Sequence, residues 1–109
     1  QVPDKFIDLV INMRSMMEMS INIINFYFTH MHRTVKNNGL FACFNRYHKK
    51  SNSDEDIILK EYPFDELWSP ILSQSSIYQP HIHDLILKRN EKRCEIHIHD
   101  ILKSLPPFQ

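Results

Sequence analysis

Apolar side chains recur along the first third of the chain at steps of three and four. Phe6, Val10, Met13, Met17, Ile21, Ile24, Phe28, Met31 and Val35 follow one another at that spacing, the period of one face of an α-helix. The intervening positions Asp8, Asn12, Ser15, Glu18, Asn22, Asn25, Thr29, Arg33 and Lys36 are polar. Pro3 suits a first helical position, Asp4 the positive end of a helix, and Asn37-Asn38-Gly39 a stop. The pattern predicts one helix over about residues 4–37, roughly 50 Å long at about 1.5 Å per residue. Met16, Met19, Ile23 and Phe26 spread the apolar stripe sideways. A helix apolar on that many sides is central in its bundle or touches something beyond it.

Farther along, "LFACFNRYHKK" reads as a short second helix with Leu40, Cys43, Phe44 and Tyr47 on one face. Ser53 and Asp56 have the spacing of a capping box and open a helix through Ile57, Ile58 and Leu59, which Pro63 stops. "FDELWSPILSQSS" reads as one or two short helices, with Ser69 and Pro70 as cap and first position and Trp68 anchoring the core. From Pro80 to Ser104 the chain is compatible with a second long helix, over about residues 80–104, kinked near "KRNEKR" and ended by Pro106-Pro107. The fold class expected is all-α, a small helical bundle in one domain over residues 1–109, excised from a larger protein.

Composition changes this picture little. A hydrophobic content of 42% with 24% charge is ordinary for a folded chain. Thirteen basic side chains balance thirteen acidic ones, so no global field draws the chain to nucleic acid or to an anionic membrane. The longest apolar runs, such as "IINFYF", are too short to span a bilayer. With no leader and only Cys43 and Cys94 as thiols, the expected location is intracellular, nucleus and cytoplasm not being distinguished. A single glycine argues against phosphate-cradling loops and against folds rich in tight turns.

The histidines carry the only candidate metal chemistry. "HIHD" occurs at His81 and again at His97, and "THMH" adds His30 and His32. On strands, residues two apart share a face, and a hairpin turning at "KRNEKR" would bring the pairs together for zinc or copper. On a helix they point about 200° apart and cannot grip one ion. The turn lacks the Asn-Gly or Asp-Gly of a tight hairpin and is rich in helix formers, so the helix is preferred and no cofactor is expected. The nearest chelating pair would then be Cys94 and His97, with His81 and His97 making surface pairs with Asp84 and Asp100. The dipeptides His83-Asp84 and His99-Asp100 look like the metal-binding dyad of the HD-domain phosphohydrolases. That likeness covers two dipeptides, without the glycine that usually follows or an aspartate after Asp100, so no family is assigned.

No nucleophile context surrounds either cysteine, and the serines of "SQSS" lack a glycine-framed elbow. The carboxylates Asp54, Glu55, Asp56, Asp65 and Glu66 read as helix-start charges. The function expected is therefore a non-catalytic helical interaction module, a scaffold or adaptor domain that is not an enzyme. Its partner would be another protein or a second copy, met by Met16, Met19, Ile23 and Phe26, and then by Phe41, Phe44 and Tyr47. The alternative is a nucleic-acid-associated module using Arg46, Lys49, Lys50, Lys88, Arg89 and Arg93. A zinc-stabilised domain comes third.

Overall fold

The computed structural model describes residues 2–51 and 54–107. It is built on a sheet, not on a long helix. Strand β1 (Ile7–Met13) is followed by a 3-10 turn (Met16–Glu18), helix α1 (Ile21–Thr34) and the long strand β2 (Val35–Arg46). Then come β3 (His48–Lys50), β4 (Asp56–Ile58), β5 (Trp68–Ser75), β6 (Ile82–Arg89) and a short helix α2 (Ile98–Leu102). The main sheet has the order β1-β2-β6-β5, and β3 pairs with β4 separately. β1 and β2 run parallel, joined through α1 as a βαβ unit, whereas β6 is antiparallel to both its neighbours.

The all-α expectation is thus overturned, and each element shows why. Only residues 21–34 of the rod expected over 4–37 are helical. Ser20 caps that helix, its Oγ accepting from the Ile23 N–H at 3.2 Å, and Ile24, Phe28 and Met31 bury the face that the periodicity marked. The preceding "IDLVINM" sets Ile7, Leu9, Ile11 and Met13 on one side and Asp8, Val10 and Asn12 on the other. Val10, apolar on the otherwise polar side, interrupts that alternation and joins Met13 and Met17 in a helix-like stripe. "LFACF" is the buried run of a central strand, not a second helix. Ile57 and Ile58 lie in β4, the Trp68 segment is β5, and the rod expected over 80–104 divides into β6 and the five residues of α2. The expected Ser53 cap lies outside the described residues.

Turns are made without glycine. Lys5, Arg14, Asn38 and Asp54 adopt the left-handed backbone, with φ of 52°, 62°, 70° and 64°. Gly39 has a different duty. The register between β1 and β2 slips between Ile7↔Val35 and Leu9↔Leu40, so β2 carries extra residues there as a bulge. A Cβ at Gly39 would stand 2.7 Å from Val35 Cγ1 and 2.8 Å from the Lys36 carbonyl oxygen.

One face of the sheet carries the core. Phe41, Cys43, Leu85 and Leu87 cluster there with Ile24, Phe28 and Met31 of α1 and with Ile98 and Leu102 of α2. Phe28 meets Phe64 edge-on at 4.7 Å between ring centroids and Phe41 at 6.0 Å. Trp68 is fully buried, and the Arg89 guanidinium lies 4.9 Å over its ring. Arg89, itself buried, grips Asp65 with two parallel hydrogen bonds of 2.5 and 2.8 Å and donates to the His32 carbonyl at 3.1 Å. Among the described residues no helix is long and apolar enough to cross a membrane.

Candidate functional site at the carboxyl edge

In open α/β sheets, ligands lie outside the carboxyl ends of the parallel strands. Here that edge is where β1 ends at Met13 and β2 at Arg46. Two buried amides meet there. Asn45 Nδ2 donates to Asn12 Oδ1 at 3.1 Å, and the same oxygen accepts the Met16 N–H at 3.0 Å. Asn45 Oδ1 accepts the Met17 N–H at 3.3 Å. The pair therefore fixes the 3-10 turn that leaves β1, because a buried amide left unpaired would cost about 1–3 kcal/mol. Arg14, between strand and turn, is exposed and holds its left-handed φ of 62°. Such a backbone in a long-chain residue costs energy and clusters at functional sites.

The edge continues across the sheet. His83 pairs in register with Asn45 on one side and with Ser75 on the other. Its Nδ1 lies 2.8 Å from the Tyr47 hydroxyl and its Nε2 2.8 Å from Ser73 Oγ. Tyr47 Oη is 2.6 Å from Ser75 Oγ. Burial holds the His83 pKa below the ordinary imidazole value, with Asp84 opposing weakly, so the ring is neutral near pH 7. The other face of the same edge bears a cleft of about 340 Å³, floored by Met13, Phe44 and Ile82 and rimmed by Arg14, Gln79 and Asp84. Cys43, beneath the amides, is fully buried and its pKa is pushed up to about 12 by burial, against the opposing hydrogen bond from Asn45. It is an inert thiol.

The residues expected to meet a partner scatter. Met16 and Phe41 are fully buried, Met19, Phe44 and Tyr47 are half-buried, and Ile23 and Phe26 are exposed on α1. Of the basic set, Arg89 is locked in the core, while Lys49 pairs with Glu18, Lys50 with Asp56 and Arg93 with Glu66. Arg46 and Lys88 are half-buried on β2 and β6. Among the described residues no group of three or more His, Cys, Asp or Glu side chains could hold a metal. His83 lies in β6 while His97 caps α2, and Cys94 sits in the loop between them. His97 forms a capping box with Asp100, and the His32 Nε2 accepts the Asp65 N–H at 3.3 Å.

No protein-family profile matches the sequence, and no curated protein is similar enough to count as a relative. The fold does have a solved counterpart. It is the crystal structure of a Sulfolobus solfataricus protein provisionally described as a type 11 methyltransferase, with a TM-score of 0.53 and 18% identity. The likeness covers 90% of this chain and 60% of that one, so the chain spans about three-fifths of its neighbour's length. A sheet-based α/β fold shared with that structure replaces the helical bundle, and the scaffold reading that rested on the bundle falls with it. So does the exclusion of catalysis, since the Asn12, Asn45 and His83 groups were invisible while their segments were read as helix.

Proposed function

We propose that the protein is a group-transfer enzyme of the methyltransferase type, with its acceptor substrate held at the carboxyl edge of β1 and β2. The observation that carries this reading is the buried Asn12–Asn45 pair beside the strained Arg14, where two parallel strands end. The pair fixes the turn that follows Arg14, and Arg14 stands at the rim of the cleft on the other face of the same edge, which pre-organises that rim for a ligand. Met13, Phe44 and Ile82 offer apolar contact, and Arg14 and Asp84 offer opposite charges at the rim. That combination suits a small organic acceptor with a polar or anionic group. The fold likeness supports methyl transfer over other group transfers.

The turn that leaves β1 is not a glycine-rich cradle for a nucleoside-type methyl donor, so such a donor would have to be held by other residues. Binding one by a strand-to-helix turn needs glycines that let the backbone approach, and the turn from β1 to α1 reads "RSMMEMS". The one glycine is occupied by the fold of β2. No step is therefore derived through the donor, and the acceptor side is what these residues provide.

The test is transfer of radiolabelled methyl from S-adenosylmethionine by the purified protein into a fractionated pool of small metabolites. Label entering a discrete product, and lost when Asp84 is changed to Asn, supports the reading. Absence of any labelled product, or a product indifferent to Asp84→Asn and Arg14→Gly alike, rules it out.

A further inference from the structure

"SQSS" gave no sign of chemistry in the sequence, yet the fold sets two of its serines against a buried histidine. Ser73 and Ser75 lie on the exposed edge strand β5, and both side chains are open to solvent. His83 is only 5% exposed and each ring nitrogen has one partner. The partners form a chain with a consistent direction. If Nδ1–H donates to Tyr47 Oη, Tyr47 donates to Ser75 Oγ, and Nε2 is left to accept the Ser73 hydroxyl proton. This matches the general signature of an activated nucleophile: a hydroxyl within reach of a base that a third group orients.

We propose that Ser73 is a nucleophile activated by His83 and held in register by Tyr47, and that it accepts acyl groups from small esters. Ser73 Oγ bonds to the ester carbonyl carbon as its proton moves to His83 Nε2. The carbon–oxygen bond to the alcohol then breaks, and the departing oxygen takes the proton back from Nε2. Water repeats the sequence on the acyl-serine, giving its proton to Nε2. The acid is released as Ser73 recovers its hydrogen. In the tautomer with Nδ1–H donating to Tyr47, the base acts at the nitrogen nearest the nucleophile. The activity does not depend on methyl transfer, and each can fail without the other.

The groups that face His83 are Tyr47 between β2 and β3, Ser73 and Ser75 from β5, and Asp84 on its own strand. With burial holding the ring neutral, reactivity rises with pH to a plateau already reached near neutrality.

The experiment is labelling of the purified protein with a fluorophosphonate, located by peptide mass spectrometry. The adduct is expected on Ser73, with none in Ser73→Ala and unchanged labelling in Ser69→Ala to within a few-fold. His83→Gln should slow labelling roughly 100-fold or more, the scale of a lost general base. If His83→Gln loses its thermal transition, Tyr47→Phe replaces it, with a slowing of roughly tenfold expected from the disordered tautomer. A folded wild type that stays unlabelled at Ser73 overturns the proposal. So does a folded His83→Gln or Tyr47→Phe labelled at the wild-type rate, or label spread evenly over Ser69, Ser73, Ser75 and Ser76.

Discussion

The two sides of the sheet treat the same kind of side chain in opposite ways. On the core side, Phe41, Leu85 and Leu87 are fully buried beneath α1 and α2. On the other side, Leu9, Ile11 and Met13 of the edge strand β1 are 50%, 57% and 62% exposed, although by alternation they stand beside Leu40, Ala42 and Phe44 of β2. Ile23 and Phe26 of α1, the helix that covers the core side, are also more than half exposed. An apolar patch on one side, against a closed core on the other, means that stability and hydrophobicity are uncoupled along this chain. What a residue contributes depends on the face it occupies, not on its apolar character.

Truncation on the closed side gives the largest effect. Trp68→Ala should cost about 3–5 kcal/mol, since a fully buried indole leaves a cavity that the neighbouring rings cannot fill, and urea denaturation would show it. Asp65→Asn is next. It strips the carboxylate from buried Arg89, and with Asp65 about one-third exposed to screening the expected loss is about 2 kcal/mol. An unchanged denaturation midpoint in either variant would break the contrast between the faces.

Acid should act on the closed side in two steps. Burial lowers the pKa of His83, opposed by Asp84; it lowers that of His32 too, where Asp65 opposes and Arg89 assists. The unfolded chain therefore binds more protons below about pH 6.5, and stability present above that value is lost as pH falls through the folded pKa values. Burial alone would raise Asp65, but the Arg89 and Leu67 hydrogen bonds and the nearby His32 and Arg89 charges bring it below the carboxylate range. A second loss follows below about pH 4. Thermal melts across pH should show both steps, and His83→Gln should diminish the first. On the open side, Leu9→Ser with Ile11→Ser should change the unfolding free energy by no more than about 0.5 kcal/mol per site, read by urea denaturation.

This contrast also explains how much could be read in advance. The periodicity of Ile24, Phe28 and Met31 located the buried face of α1 because a helix covered on one side keeps a clean stripe. β1 could not be seen. The alternation of Ile7, Leu9, Ile11 and Met13 against Asp8 and Asn12 is broken at Val10, and Val10, Met13 and Met17 fall at helical steps by coincidence. "LFACF" was ambiguous between buried strand and helix, as short apolar runs are. The isoleucines of "HIHD" pointed to strand for the first copy, and the charged "KRNEKR" drew the reading to helix. Scarce glycine suggested few tight turns, yet Lys5, Arg14, Asn38 and Asp54 make left-handed turns themselves. The site was hidden for the same reason. Asn12, Asn45, His83 and Ser73 lie far apart in sequence and meet only through strand pairing, and the one local clue was an asparagine inside each of two apolar runs.

The central claim, that the carboxyl edge is built for a ligand at some cost to the fold, is tested most directly on Arg14. Glycine adopts φ of 62° freely, so Arg14→Gly removes the side chain without disturbing the Asn12–Asn45 pair. The measurement is melting temperature and methyl transfer on the same sample. An unchanged or higher melting temperature with transfer reduced tenfold or more is the predicted result. Full transfer, or a melting temperature that drops along with it, would contradict the claim and make Arg14 an ordinary part of the turn.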